Sequence, residues 1–245
     1  MTGNDFAHYF IRHIKMKFLG YNLVLLVFNR DDKKSMTNPT RSKRYEGKTS
    51  CAIHILDNTD ISKTTKQKII ASTATKSSLT EYWAHKVLSQ SWKQTMVVSW
   101  NDKLLFTSPT DTWEASVQEE ADIKIIFHSL QLLKDSILDI HSPDTDFLVL
   151  LIHFFHALPS STRLMHGMGS SEEPIMIKPI ADNLGNEKCQ ALTALHSISG
   201  TDVCGRFYEK GKDSAWSTFQ KAGPETVEAL AALRLRPYRN HVFSC

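Results

Sequence analysis

The chain has 245 residues, of which 41% are hydrophobic and 22% are charged, and its formal net charge is +3. This composition is typical of a globular protein that buries a sizeable core, in one large domain or two small ones. The net charge is too small to indicate a nucleic-acid partner by itself, so any basic binding surface has to be local. The four cysteines form no C-x-x-C pair, and they indicate neither a zinc module nor a disulfide framework.

The sequence predicts neither a membrane segment nor secretion. Its two apolar runs, residues 23–28 and 147–158, are shorter than the roughly 20 residues that a membrane-spanning helix needs. Charged residues interrupt the N-terminal segment where a signal peptide would be apolar. We therefore expect an intracellular protein, in the nucleus or the cytoplasm, without a membrane partner.

The first part of the chain predicts a helix followed by a strand. Apolar residues at helical spacing predict a helix over residues 6–18, which Gly20 ends. The β-prone run at residues 22–28 predicts a strand that is buried on both faces, as in a parallel sheet. Residues 30–78 form a predicted insertion of low order, in which residues 30–48 have seven Lys or Arg against three acidic residues.

After this insertion, helices and strands alternate along the chain. The predicted strands cover residues 96–100 and 136–141, and the predicted helices cover residues 80–93, 119–134, 147–157, 187–199, 212–221 and 224–233. This alternation predicts an α/β fold with a mostly parallel central sheet flanked by helices and with a helical C-terminal part. We assign residues 1–222 to one domain and residues 223–245 to a C-terminal helix and tail. In such folds, binding sites form beyond the carboxyl ends of the strands, where Asn29 and the pair Asp144 and Asp146 lie.

Five acidic residues lie in three short clusters: Glu120 and Asp122, Asp144 and Asp146, and Asp202. If the fold gathers them, each pair of unit charges a few Å apart costs about 4 kcal/mol at an effective dielectric constant of about 20, so hard cations must compensate. Mg²⁺ and Mn²⁺ bind carboxylate oxygens, and two such ions activate a water and stabilise the leaving oxygen of a phosphodiester. The alternative is that these residues cap helices, form turns or complement a helix dipole.

Four motifs occur in a characteristic order: V-F-N at the end of the first predicted strand, E-A-D at a helix start, S-P-D-T-D before an apolar helix, and H-x-x-x-G-x-D before G-K. In this combination the chain resembles the PIN-like nucleases, especially the 5′ or flap endonuclease branch. It is also similar to a set of uncharacterised, often transposon-associated animal proteins with that domain. The resemblance covers roughly residues 7–45 and 115–222.

The resemblance implies a divalent-metal nuclease that hydrolyses phosphodiester bonds in DNA or RNA, with Asp144 and Asp146 as catalytic residues. The implied ligands of Mg²⁺ or Mn²⁺ are Glu120, Asp122, Asp144, Asp146 and Asp202. The implied contacts to nucleic-acid phosphates are Arg41, Lys43, Arg44, Lys210 and Lys212.

Two departures from the family bear on catalysis. The family's V-F-D aspartate is Asn29 here, which removes a negative charge and lowers the expected metal affinity. The family's first strand, which carries another aspartate ligand, has no counterpart before the first predicted helix, so we interpret the chain as a divergent and N-terminally truncated copy. The alternatives to a working nuclease are a non-catalytic relative that binds nucleic acid or protein, and a decayed fragment.

Overall fold

A computed structural model describes most of the chain, namely residues 1–30, 52–62, 69, 72–108, 113–142, 144, 146–167, 172–200 and 211–233. The chain divides into two compact units, Met1–His128 and Ser129–Cys245. The α/β class is confirmed. The prediction of a single, mostly parallel central sheet is wrong, because the strands in the described ranges form two small mixed sheets of three strands each.

The elements that begin in the first unit are α1 (Gly3–Lys17), β1 (Leu23–Val27), α2 (Thr73–Leu88), β2 (Thr95–Trp100), β3 (Lys103–Phe106) and α3 (Ala121–Ser129). The predicted first helix and first strand are confirmed. Thr2 begins α1 with a reciprocal cap, since its hydroxyl accepts from the Asp5 N–H and the Asp5 carboxylate accepts from the Thr2 N–H. This arrangement satisfies two of the N–H groups that lack partners at a helix start.

The first sheet has the strand order β1-β2-β3. β1 runs parallel to β2, and β3 returns antiparallel through a tight turn at Asn101, whose φ is 52°. β1 is therefore at the edge of this three-stranded sheet, and of its residues only Val24 is buried. The prediction that β1 is buried on both faces is wrong. The central strand β2 takes that position instead, with Met96, Val97 and Val98 fully buried.

The predicted insertion contains a packed segment at residues 52–62. Ile55 is buried there, and the Ile55 N–H donates to the Ser78 hydroxyl of α2, which itself begins inside the predicted insertion. The Gly3 N–H donates to the carbonyl oxygen of Thr59 over 2.9 Å. Gly3 is required for this close approach, because a Cβ at this position would lie 2.2 Å from the carbonyl oxygen of Leu56.

The second unit contains β4 (Asp139–His141), α4 (Asp146–Phe154), β5 (Arg163–His166), β6 (Glu173–Met176), α5 (Ile177–Leu184), α6 (Asn186–Ile198), α7 (Lys212–Gln220) and α8 (Pro224–Leu233). β4 pairs with β5 in parallel, and β6 pairs with β5 antiparallel. The core of this unit includes Phe147, Leu151, Leu164 and Ile177, all of which are fully buried. α4 confirms the predicted buried helix, and a short 3-10 turn over Phe155–Ala157 extends it.

None of the helices that the structure describes combines the length and the apolar character needed to cross a membrane. The apolar helix α4 has only 9 residues.

Candidate functional site

Asn29, at the position where the resemblance implies a metal-binding aspartate, acts as a helix cap. The side-chain oxygen of Asn29 accepts a hydrogen bond from the Ala121 N–H at the start of α3, over 2.6 Å. Next to it, the Arg30 N–H donates to the carbonyl oxygen of Glu119. Asn29 therefore holds the end of β1 to the beginning of α3, and its side-chain oxygen is engaged in this contact.

A buried lysine lies at the same strand ends. Lys124 is 0% exposed, and its ammonium donates to the carbonyl oxygens of Phe28, over 3.4 Å, and Asn101, over 2.5 Å. Phe28 and Asn101 directly follow the parallel strands β1 and β2. Burial, together with the neighbouring charge of Arg30, lowers the pKa of Lys124 from 10.5 to about 8. Below that pH the carboxyl edge of the first sheet carries a fixed positive charge.

Glu120 and Asp122 lie at the N-terminus of α3. Glu120 directly precedes the helix and its carbonyl oxygen accepts from the Lys124 N–H, while Asp122 is in the first turn. Carboxylates at this place interact favourably with the positive end of the helix dipole. This placement fits the interpretation of the two residues as first-turn acids.

Behind Lys124, a buried histidine and serine form a polar pair. The Nε2 of His128 lies 3.0 Å from the Ser99 hydroxyl, and both residues are 0% exposed. The imidazole also stacks on Trp113, with ring centres 6.1 Å apart. Burial, and after it the charge of Lys124, lowers the pKa of His128 from 6.5 to about 4. Both side chains are enclosed by the first unit, so this hydrogen-bonded pair contributes to its packing.

In the second unit, the Asp144 and Asp146 pair follows β4. The Asp144 carboxylate accepts from the Asp146 N–H over 2.8 Å, and the Asp144 N–H donates to the Ser142 hydroxyl. These are the local hydrogen bonds of a turn that leads into α4. Asp144 is exposed to solvent.

The Asp146 carboxylate has two basic neighbours. Its Oδ1 lies 3.2 Å from the ammonium of Lys212, and its Oδ2 lies 3.4 Å from Nε2 of His196. Lys212 is one of the residues predicted to contact nucleic acid. In the structure it forms an ion pair with Asp146, which is a predicted metal ligand. His196 belongs to the H-x-x-x-G-x-D motif, whose aspartate, Asp202, is outside the described residues.

The structure thus places the predicted residues in two groups, each within its own unit. Asn29 and Glu120 with Asp122 surround the start of α3, and Asp144 with Asp146 and Lys212 surround the start of α4. Arg41, Lys43, Arg44, Lys210 and Asp202 are outside the described residues. Among the residues that are described, no three His, Cys, Asp or Glu side chains converge as they would around a metal ion.

Sequence reasoning missed Lys124 and His128, and it did not predict that His196 pairs with Asp146. Lys124 and His128 are four residues apart in α3, so they lie on the same face of this helix. A lysine and a histidine on the apolar face of a predicted helix are the sequence signal that could have indicated them. The pairing of His196 with Asp146 had no sequence signal, because 50 residues separate the two in the chain.

The chain matches no model of a protein family, no curated protein and no solved structure. The resemblance to PIN-like nucleases therefore rests on the order of the sequence motifs, and the function has to be argued from that order and from the geometry of the two groups.

Proposed function

We propose that the chain is a divergent PIN-like domain, derived from a divalent-metal nuclease, and that it binds DNA or RNA without hydrolysing it. The order of the four motifs supports the ancestry. The observation that carries the loss of hydrolysis is the buried ammonium of Lys124 at the ends of β1 and β2. At this place the resemblance implies an aspartate that binds a metal ion, whereas this chain has Asn29 and Lys124.

The electrostatics of the group around Asn29 disfavour a divalent ion. Like charges a few Å apart repel by about 4 kcal/mol per pair at an effective dielectric constant of about 20, and a divalent ion doubles that cost. An ion beside Asn29 would meet repulsion from the Lys124 ammonium, and Asn29 adds no negative charge to that of Glu120 and Asp122 beside it. In the second unit, an ion on Asp146 has to displace Lys212 and His196.

Metal-dependent hydrolysis of nucleic acids is the second candidate function. The observation in its favour is the position of Asp144 and Asp146 in the turn after the parallel strand β4, with Asp144 exposed. The Asp146–Lys212 pair is itself exposed, and exposed pairs contribute little, so an ion of Mg²⁺ or Mn²⁺ competes with Lys212 at small cost. This candidate uses Asp144 and Asp146 as catalytic residues.

The test combines binding and cleavage of labelled single-stranded and flap DNA and RNA in Mn²⁺. The parent chain is compared with Asp144→Asn and Asn29→Asp, after a thermal melt has shown a cooperative transition for each protein. We expect all three proteins to bind nucleic acid and none to cleave it.

Cleavage by the parent that Asp144→Asn abolishes would replace the proposal with the second candidate. A cooperatively folded parent that binds no nucleic acid would contradict both candidates. The remaining interpretation would then be a non-catalytic relative that binds protein. A parent without a cooperative transition would indicate a decayed fragment.

A further inference from the structure

One face of α1 packs on the core of the first unit, and the opposite face is open to solvent. The buried side is formed by Gly3, Ala7, Ile11 and Ile14. Within residues 9–16 of α1 the exposed side chains are Tyr9, Arg12, His13, Lys15 and Met16, which we call the outer face of α1. Tyr9 and Met16 are each 70% exposed, so a large aromatic and a large apolar side chain lie on the surface between basic residues.

Beyond its first turn, α1 has no acidic residue that would compensate the charges of Arg12 and Lys15. Residues 6–30 contain no Asp or Glu. The nearest carboxylate along the chain, Asp5, accepts from the Thr2 N–H at the N-terminal end of α1. The carboxylate of Asp57 is paired with Lys86 over 2.8 Å and accepts from the Tyr82 hydroxyl. The ammonium of Lys15 lies 5.1 Å from the ring centre of Trp92, which holds its charge at the surface. The surface therefore attracts an anionic partner.

The residue types on this face suit one class of anion. Arginine and lysine contact phosphates, and an exposed tyrosine offers a ring on which a base stacks. Tyr9 and Met16 are seven residues apart, which is about 10 Å along the helix axis. We propose that the outer face of α1 binds single-stranded nucleic acid, with Arg12 and Lys15 on phosphates and Tyr9 against a base. This inference rests on the proposed function, because it names the surface that performs the binding.

An anionic membrane is the competing partner for a basic, partly apolar helix. The outer face of α1 is less suited to it, because Tyr9 and Met16 are its two large apolar side chains, whereas an interfacial helix inserts a continuous apolar face. The apolar side chains of Ile11 and Ile14 are buried in the core of the first unit and cannot insert. A nucleic-acid strand needs only phosphate contacts and a ring for stacking.

The test is a titration of the full chain into fluorescein-labelled oligothymidylate at several salt concentrations, followed by anisotropy. The charge variant is Arg12→Gln with Lys15→Gln, and its matched control is Lys103→Gln with Lys221→Gln, which removes the same charge from exposed lysines elsewhere. We expect the charge variant to bind more weakly and to flatten the slope of log affinity against log salt by about 1.4, since each lost phosphate contact to a single strand removes about 0.7. The control keeps the parent slope.

Tyr9→Ala separates stacking from charge. We expect it to weaken binding about fivefold or more at every salt concentration without changing the salt slope. Thermal melts of all variants are compared with the parent, and unchanged transitions are expected because the positions are exposed.

The outcomes distinguish the inference from the proposed function. If the parent binds and the charge variant behaves like its matched control, the outer face of α1 is not the binding surface, although nucleic-acid binding itself stands. The parent could instead fail to bind oligothymidylate and bind vesicles that contain phosphatidylserine, with a dependence on Arg12 and Lys15. The partner would then be a membrane, and the inference would be overturned. If the parent binds neither probe, both the inference and the proposed function fail.

Discussion

Each unit has a lysine near the end of a strand. Lys124 lies at the ends of β1 and β2 in the first unit, and Lys212 lies beside Asp146, after β4, in the second. Lys124 is fully buried and its ammonium donates to two carbonyl oxygens. Lys212 is on the surface, where its side chain and that of its carboxylate partner, Asp146, are 53% and 43% exposed. The comparison shows that burial, rather than residue type, decides whether a cation is a structural part of a sheet edge or a replaceable neighbour of a carboxylate.

The largest expected effect is that of Lys124→Ala. This change leaves a cavity where a long side chain was and removes the donor from the carbonyl oxygens of Phe28 and Asn101, so we expect a loss of about 3–5 kcal/mol in the free energy of unfolding. The measurement is urea denaturation at neutral pH. Lys124→Met is the matched control, because it keeps the volume and removes only the donor, and it should cost clearly less. Equal stability of the alanine variant and the parent would mean that Lys124 is not buried as described.

The next effect is a dependence of stability on alkaline pH. Burial lowers the pKa of Lys124 in the folded chain to about 8, from 10.5. Between these two values the unfolded chain binds more protons than the folded chain, so the free energy of unfolding rises with pH over this window, by up to about 3 kcal/mol. Below pH 8 Lys124 is protonated in both the folded and the unfolded chain, so it does not make the free energy of unfolding depend on pH.

The pH dependence is measured by urea denaturation at a series of alkaline pH values. Lys124→Met should abolish the rise, whereas Lys212→Gln should retain it. A rise that survives in the methionine variant would assign the titration to another group.

The smallest effect is expected at the surface pair. Lys212→Gln removes the partner of Asp146, and we expect a loss of less than about 1 kcal/mol, because solvent screens an exposed pair and its side chains are costly to order. The loss should disappear at high salt. Urea denaturation of Lys212→Gln, Asp146→Asn and the double variant at two salt concentrations measures the coupling. If the coupling free energy between Lys212 and Asp146 were as large as the loss caused by Lys124→Ala, the exposed lysine would matter as much as the buried one, and the comparison would fail.

Much of the secondary structure could be predicted from local patterns. The helix over residues 224–233 has the predicted bounds, since α8 spans Pro224–Leu233, and the helix over residues 187–199 corresponds closely to α6. The strands β3, β5 and β6 were missed because each has only 4 residues, too few for an alternating pattern to stand out. α5 was missed as well.

The candidate site was predictable in part. The motifs placed Asn29 after β1 and Asp144 with Asp146 after β4, and both placements are confirmed. The cap that Asn29 forms with Ala121 joins residues 92 positions apart, and no local pattern indicates such a contact. The same holds for Lys212 beside Asp146, which are 66 positions apart.

By itself, the sequence determined most of the helices, the three strands β1, β2 and β4, and the positions of Asn29 and of the Asp144 and Asp146 pair after two of them. Periodicity and turn chemistry are local properties of a chain. The tertiary structure alone decided that the strands form two sheets, that β2 rather than β1 is buried, and that lysines are located at the strand ends. The physical reason is that strand partners and charge neighbours are chosen by packing between distant segments, where burial sets the strength of every polar contact.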